Sequence, residues 1–170
     1  MNNAASLGSL ILPLNLSRQV QEGTPSAFDC GYFSMRLAFP VWENRISPVL
    51  DTATRFLIVD VDDHGEPSRL ELLLDGNDIS RKCRKIGSLG VNGVICGAVT
   101  RRFSEMLAER GIHVVPGVSG RPDEILDAWL EGRLIDPRFL MPGWSIDVLQ
   151  ERIRGLRLKT RAALRSEEAK

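Results

Sequence analysis

The chain has 170 residues, 43% hydrophobic and 26% charged, with 22 basic and 22 acidic side chains and no net charge. This is the composition of one globular domain with room for tails, and it excludes a disordered, collagen-like or coiled-coil chain. Zero net charge argues against global binding of nucleic acid or a membrane surface. Three cysteines without paired spacing argue against a secreted disulfide scaffold, so the cytoplasm is the expected compartment.

No run approaches the roughly 20 apolar residues of a membrane helix. The nearest, residues 7–16, contains Pro13 and lacks a basic flank and a small-residue cleavage site, so no signal peptide is expected. Residues 1–34 carry scattered Gly, Pro, Ser and Asn without a sustained period and read as a flexible N-terminal extension. A start at Met35 would still yield a sensible domain.

From Met35 the pattern changes. Leu37, Phe39 and Val41 alternate with Arg36, Ala38 and Pro40, which predicts a strand over 35–41. Residues 55–62 and 69–74 predict two further strands, joined as a hairpin by the turn Asp63-His64-Gly65-Glu66-Pro67. Ile79, Cys83 and Ile86 lie on one helical stripe over 79–89, with Asp78 as N-cap and Arg81, Lys82, Arg84 and Lys85 on the wet side. The short apolar runs 94–96 and 112–115 read as buried parallel strands. A helix between them is capped by Thr100 and stopped by Gly111. Pro122 opens a third helix, with Asp123 and Glu124 suited to its positive end.

The order β–β–β–α–β–α–β–α predicts an α/β domain over 35–134, its sheet antiparallel in the first half and parallel in the second. Residues 135–170 form an irregular strap and a last helix from Ser145 to about Ser166, its apolar stripe interrupted by Gly155. Seven Lys/Arg against three Asp/Glu over 151–170 give this end a local charge of +4. The helix is expected to be peripheral and either partner-directed or docked on its own domain.

Motifs for most chemistries are absent: no Cys-x-x-Cys, His-x-x-x-His, Gly-x-Ser-x-Gly or Gly-rich phosphate loop occurs. Asp60, Asp62 and Asp63 form an acidic cluster that suits half of a two-metal site or, more simply, a solvated turn together with His64. Cys96-Gly97-Ala98-Val99-Thr100 is placed where a central parallel strand feeds a helix, the usual ligand position in open α/β sheets. Helix N–H groups there favour anions, and a thiolate at Cys96 would suit a soft metal; the plain alternative is a packed core cysteine. Ser119 and Arg121 occupy the matching loop after the next strand. Arg45 and Asp51 either line the same edge or pair with each other. Cys83 reads as core and Cys30 as incidental.

Three ordered segments carry a resemblance: 35–61, with Arg45-Ile-Ser-Pro-Val-Leu-Asp-Thr-Ala53 inside it; Gly90-Val-Asn-Gly-Val-Ile-Cys-Gly-Ala98; and 111–134. Together they resemble the dinitrogenase iron–molybdenum cofactor biosynthesis family. The resemblance implies a ribonuclease-H-like fold, a five-stranded mixed sheet flanked by helices. It implies a non-enzymatic role in nitrogen fixation: a carrier that binds an iron–molybdenum cofactor or iron–sulfur precursor and exchanges it with donor and acceptor proteins. It makes Cys96 the metal ligand, with Gly97, Thr100, Ser119, Arg121 and Arg45 around the cluster. Many relatives have His-Phe-Gly where this chain has Val49-Leu50-Asp51, and often cysteines where it has Ser119 and Trp144. The alternative is a metal-free interaction or regulatory module on the same fold. A ribonuclease-H-type nuclease fits least, because the first strand has no carboxylate.

Overall fold

The computed structural model describes residues 34–62 and 67–167, with side chains through Leu158. The extension at 1–33, Cys30, Asp63 and His64 lie outside them. The elements are β1 (Ser34–Trp42), β2 (Arg45–Ile46), β3 (Arg55–Asp62), β4 (Ser68–Leu73), α1 (Ile79–Ser88), β5 (Gly93–Ile95), α2 (Arg101–Glu109), β6 (His113–Val115), α3 (Pro122–Leu130) and α4 (Ile146–Glu167), with one 3-10 turn at Pro137–Phe139.

The main sheet path runs β4-β3-β1-β5-β6, and β2 pairs with β1 beside it. β3 is antiparallel to both β1 and β4, while β1–β5 and β5–β6 are parallel. The expected mixed sheet is therefore present, with six strands rather than five. The addition, β2, is a two-residue return made through a turn in which Glu43 has φ 55°.

Alternation along the strands splits the apolar side chains between two faces. Leu37, Phe39, Val59, Val61, Ile95 and Val115 face α3 and α4, where Ile125, Trp129, Ile153 and Leu156 cover them. Ala38, Phe56, Ile58, Val94 and Val114 face α1 and α2, covered by Cys83, Ile86, Phe103 and Leu107. The helix starts follow their caps. The Asp78 carboxylate accepts from the Ser80 and Arg81 amides, the Thr100 hydroxyl accepts from the Phe103 amide, and Pro122 takes the first position of α3.

Two expectations are corrected. Lys82 is not on the wet side of α1: it is 1% exposed, and its Nζ donates to the Asp51 carbonyl at 2.6 Å. Burial lowers its pKa, opposed in part by the Asp51 charge. Nor is the first half of α4 peripheral. Leu149, Ile153 and Leu156 are buried in the same core as β1 and β5. Gly155 is a point of close approach rather than a break. A Cβ there would stand 2.9 Å from Cε1 of His113, whose Nε2–H donates to the Arg152 carbonyl at 2.7 Å. Likewise a Cβ on Gly93 would stand 2.7 Å from a Leu156 methyl. The helix can lie this close to the sheet because both contact positions are glycine.

Candidate functional site

Beyond the carboxyl ends of β1, β5 and β6, four segments converge and bond to one another through backbone. Ala98 N–H donates to Pro48 O at 2.7 Å, and Leu50 N–H to Ala98 O at 2.8 Å. Gly117 N–H donates to Gly97 O at 2.9 Å, and Met141 N–H to Gly117 O at 2.9 Å. Ser119 N–H reaches Phe139 O at 2.8 Å. The loops thus continue the sheet past the strand ends and use up most of the amides that an open crevice would offer a ligand.

Two glycines make this closeness possible. A Cβ on Gly97 would fall 2.5 Å from Pro48 O and 2.8 Å from Ser47 O. Gly117, at φ 83°, lies beneath the indole of Trp144, which fills the space a side chain would need. Gly97 is therefore explained by packing in the empty chain.

Cys96 lies at the end of β5 as expected, but its side chain does not reach the surface. It is 0% exposed and packs in the α1–α2 core with Val94 and Phe103. Burial, with a contribution from the Asp51 charge, pushes the thiol's pKa far above its ordinary range. The thiolate expected beside the helix dipole is thus replaced by a neutral, packed thiol. Cys83 is buried too; its pKa is raised chiefly by desolvation, and its Sγ lies 3.2 Å from Met106 O. Native-state alkylation at pH 8 should leave Cys83 and Cys96 unmodified in peptide mass maps, with both labelled once the chain is denatured. Labelling of Cys96 at the rate of a free thiol in the folded chain would contradict this burial.

The α2 N-terminus is also occupied. Asp51 Oδ2 accepts from the Thr100 amide at 3.0 Å, and Oδ1 from the Thr100 hydroxyl at 2.5 Å. The anion placed at this helix start is the chain's own carboxylate, so Thr100 does not present a vacant donor pair. Asp51 does not pair with Arg45. Ser119 is engaged as well, its hydroxyl donating to Leu140 O at 3.4 Å.

Arg45 and Arg121 remain. Both side chains are exposed and make no hydrogen bond or ion pair among the described residues. Their neighbours are joined by the bond from Ile46 N–H to Gly120 O at 2.9 Å, which places the two arginines on adjoining segments. Beside Arg45, a cleft of about 390 Å³ is lined by Trp42, Pro48, Val49 and Thr52. Trp42, directly across from Arg45 in the β1–β2 pairing, is 63% exposed. Sequence reading missed this exposed tryptophan, whose β1 position continues the strand past its buried stretch.

Of the acidic cluster, Asp60 is taken up by an arginine, and Asp63 lies outside the described residues. Arg36 donates to Asp60 through Nε at 2.5 Å and Nη2 at 2.9 Å, and this guanidinium lowers the Asp60 pKa. Among the described residues no group of three or more His, Cys, Asp or Glu side chains could hold a metal ion. No described helix is long and apolar enough to cross a membrane.

A mixed sheet between two helical layers, with its candidate site on loops at the carboxyl strand ends, defines a small α/β domain. The chain belongs to the dinitrogenase iron-molybdenum cofactor family, whose profile matches residues 34–132. An uncharacterised protein of Methanocaldococcus jannaschii is 26% identical over 106 residues, covering 59% of this chain and 89% of that protein. The crystal structure of PH0822 superposes with a TM-score of 0.58 at 22% identity, over 65% of this chain and all of that one. A dinitrogenase candidate of M. jannaschii gives a TM-score of 0.50 at 24% identity, over 59% and 91%. These two structures establish likeness of fold.

Proposed function

We propose that the chain is a non-enzymatic accessory domain of nitrogenase cofactor assembly. It carries an iron–molybdenum cofactor or an iron–sulfur precursor between a donor and an acceptor protein. Family membership supports the cargo class. The strand order, three antiparallel members followed by two parallel ones, supports the ribonuclease-H-like assignment. Two buried, unpaired thiols suit a reducing compartment such as the cytoplasm.

The observation that carries the mode of holding is the pair Arg45, on β2, and Arg121, on the adjoining loop, their side chains exposed and unpartnered among the described residues. Clusters in stable sites are held by several thiolates, and Cys96 is withheld in the core. The cargo is therefore held by charge and shape at the loop surface, its iron ligands remaining with a partner or a small thiol. Exposed guanidinium groups suit transient holding of an anion, because each contributes little against water and is screened by salt.

A second reading, a metal-free interaction module, is favoured by exposed Trp42 beside its cleft, since tryptophan and arginine are the side chains that most often anchor protein interfaces. Anaerobic isolation with cluster supply separates the two, read by iron content and visible absorbance. Carriage predicts iron in the wild type, a several-fold loss in the Arg45→Ala/Arg121→Ala double variant, and no change in Cys96→Ser. Iron absent from the wild type would favour the interaction module. Loss confined to a folded Cys96→Ser chain would return the anchor to the thiolate.

A further inference from the structure

The sheet has an edge that nothing among the described residues covers. β6 lies under α4 at one side, but β4 ends the sheet on the other, and five of its six residues are exposed. Leu70 and Leu73 are 55% and 64% exposed. Natural edges are usually blunted by charged side chains, a proline, a bulge or an inward charge, and of these β4 carries only the opposite charges of Arg69 and Glu71. Ser68-Arg69-Leu70-Glu71-Leu72-Leu73 contains no proline, and its pairing with β3 is unbroken from Asp60↔Ser68 to Arg55↔Leu73.

The free hydrogen-bonding groups can be assigned. Leu74 N–H donates to Thr54 O at 2.7 Å, one step beyond the Arg55↔Leu73 pair. Alternation then turns the N–H and C=O groups of even-numbered residues toward β3 and those of Arg69, Glu71 and Leu73 outward.

We propose that β4 pairs antiparallel with β4 of a second copy of this chain, about a two-fold axis through Leu70. Among axes through Arg69, Leu70 and Glu71, the charge pattern selects this register. An axis through Arg69 would set arginine against arginine, and one through Glu71 glutamate against glutamate. The axis through Leu70 sets Arg69 opposite Glu71 of the second copy twice over. It also makes those residues the ones that exchange main-chain hydrogen bonds, while the two Leu70 side chains meet at the axis. Opposite charges directly across a strand pair stabilise it, and like charges oppose it. Asp123 pairs with Arg69 at 2.5 Å and leaves its side chain 47% exposed, so a second carboxylate can still reach it. Both partners present the same patch, as a two-fold interface requires.

The test is the mass of the full chain in solution by light scattering and sedimentation across a concentration series. A reversible dimer is expected. Glu71→Arg, which sets arginines opposite one another, should weaken it at least tenfold. Leu70→Cys in a Cys30→Ser background should give a disulfide-linked dimer on mild oxidation, since facing residues of a non-hydrogen-bonded pair lie about 4.5 Å apart at Cα, within disulfide reach. Leu73→Cys in the same background should not cross-link. A monomer at every concentration overturns the proposal, and protected β4 amides in that monomer would place another segment of the chain on the edge. A dimer indifferent to Glu71→Arg and unlinked through Leu70→Cys overturns it equally, because its interface lies elsewhere.

Discussion

Gly97→Ala is expected to destabilise the chain in the absence of any cargo. The new methyl would stand 2.5 Å from Pro48 O and 2.8 Å from Ser47 O, both main-chain atoms. Pro48 O cannot simply retreat, because it accepts from Ala98 N–H at 2.7 Å. Overpacking of this kind costs about 1–3 kcal/mol and the strained hydrogen bond about 1 kcal/mol more. For a domain of this size that corresponds to a fall in Tm of roughly 4–16 °C, at about 2–4 °C per kcal/mol. Thermal unfolding of the empty chain measures it. An unchanged melting curve combined with lost cargo binding would make Gly97 a binding residue rather than a packing one.

Leu156→Ala should be comparably severe. Leu156 is fully buried, and its methyls fill the space above Gly93. Neither backbone can collapse far into the void, since Gly155 already rests on the His113 ring. Truncating a buried leucine costs about 2–5 kcal/mol, toward the upper end where the site cannot close. A peripheral helix would instead tolerate the change within about 0.5 kcal/mol. Denaturant unfolding with an unchanged m-value distinguishes these outcomes.

Local rules fixed by few residues were readable in advance. Period-two alternation located β1, the two apolar runs flanking a turn located β3 and β4 as a hairpin, and Asp78, Thr100 and Pro122 marked their helix starts within a residue. Cys96 carried two readings, a ligand thiolate and a packed core cysteine, and strand parity decides for the second: the same parity that buries Val94 against α2 buries Cys96 two residues on. Lys82 was misread by its charge. It lies on the helical stripe between Ile79 and Ile86, and its long apolar stem lets it cross the core to the Asp51 carbonyl.

Other features had no local trace. Asp51 meets Thr100 across 49 positions, a pairing that only the folded loops create. β2 is too short to show a period. Gly155 looked like a flaw in the last helix because the ring it makes room for, His113, belongs to a distant strand.

The burial of Leu149, Ile153 and Leu156 has a consequence for the order in which the chain becomes a protein. Residues 34–132 carry the family's own pattern, yet the apolar face over β5 and β6 stays open until these three side chains arrive. On a ribosome, which releases the N-terminal part first, the sheet would wait with Gly93 and Ile95 uncovered while the strap and the turns of α4 emerged. During that interval the nascent domain is a surface that chaperones can recognise, and residues 146–156 act as its latch.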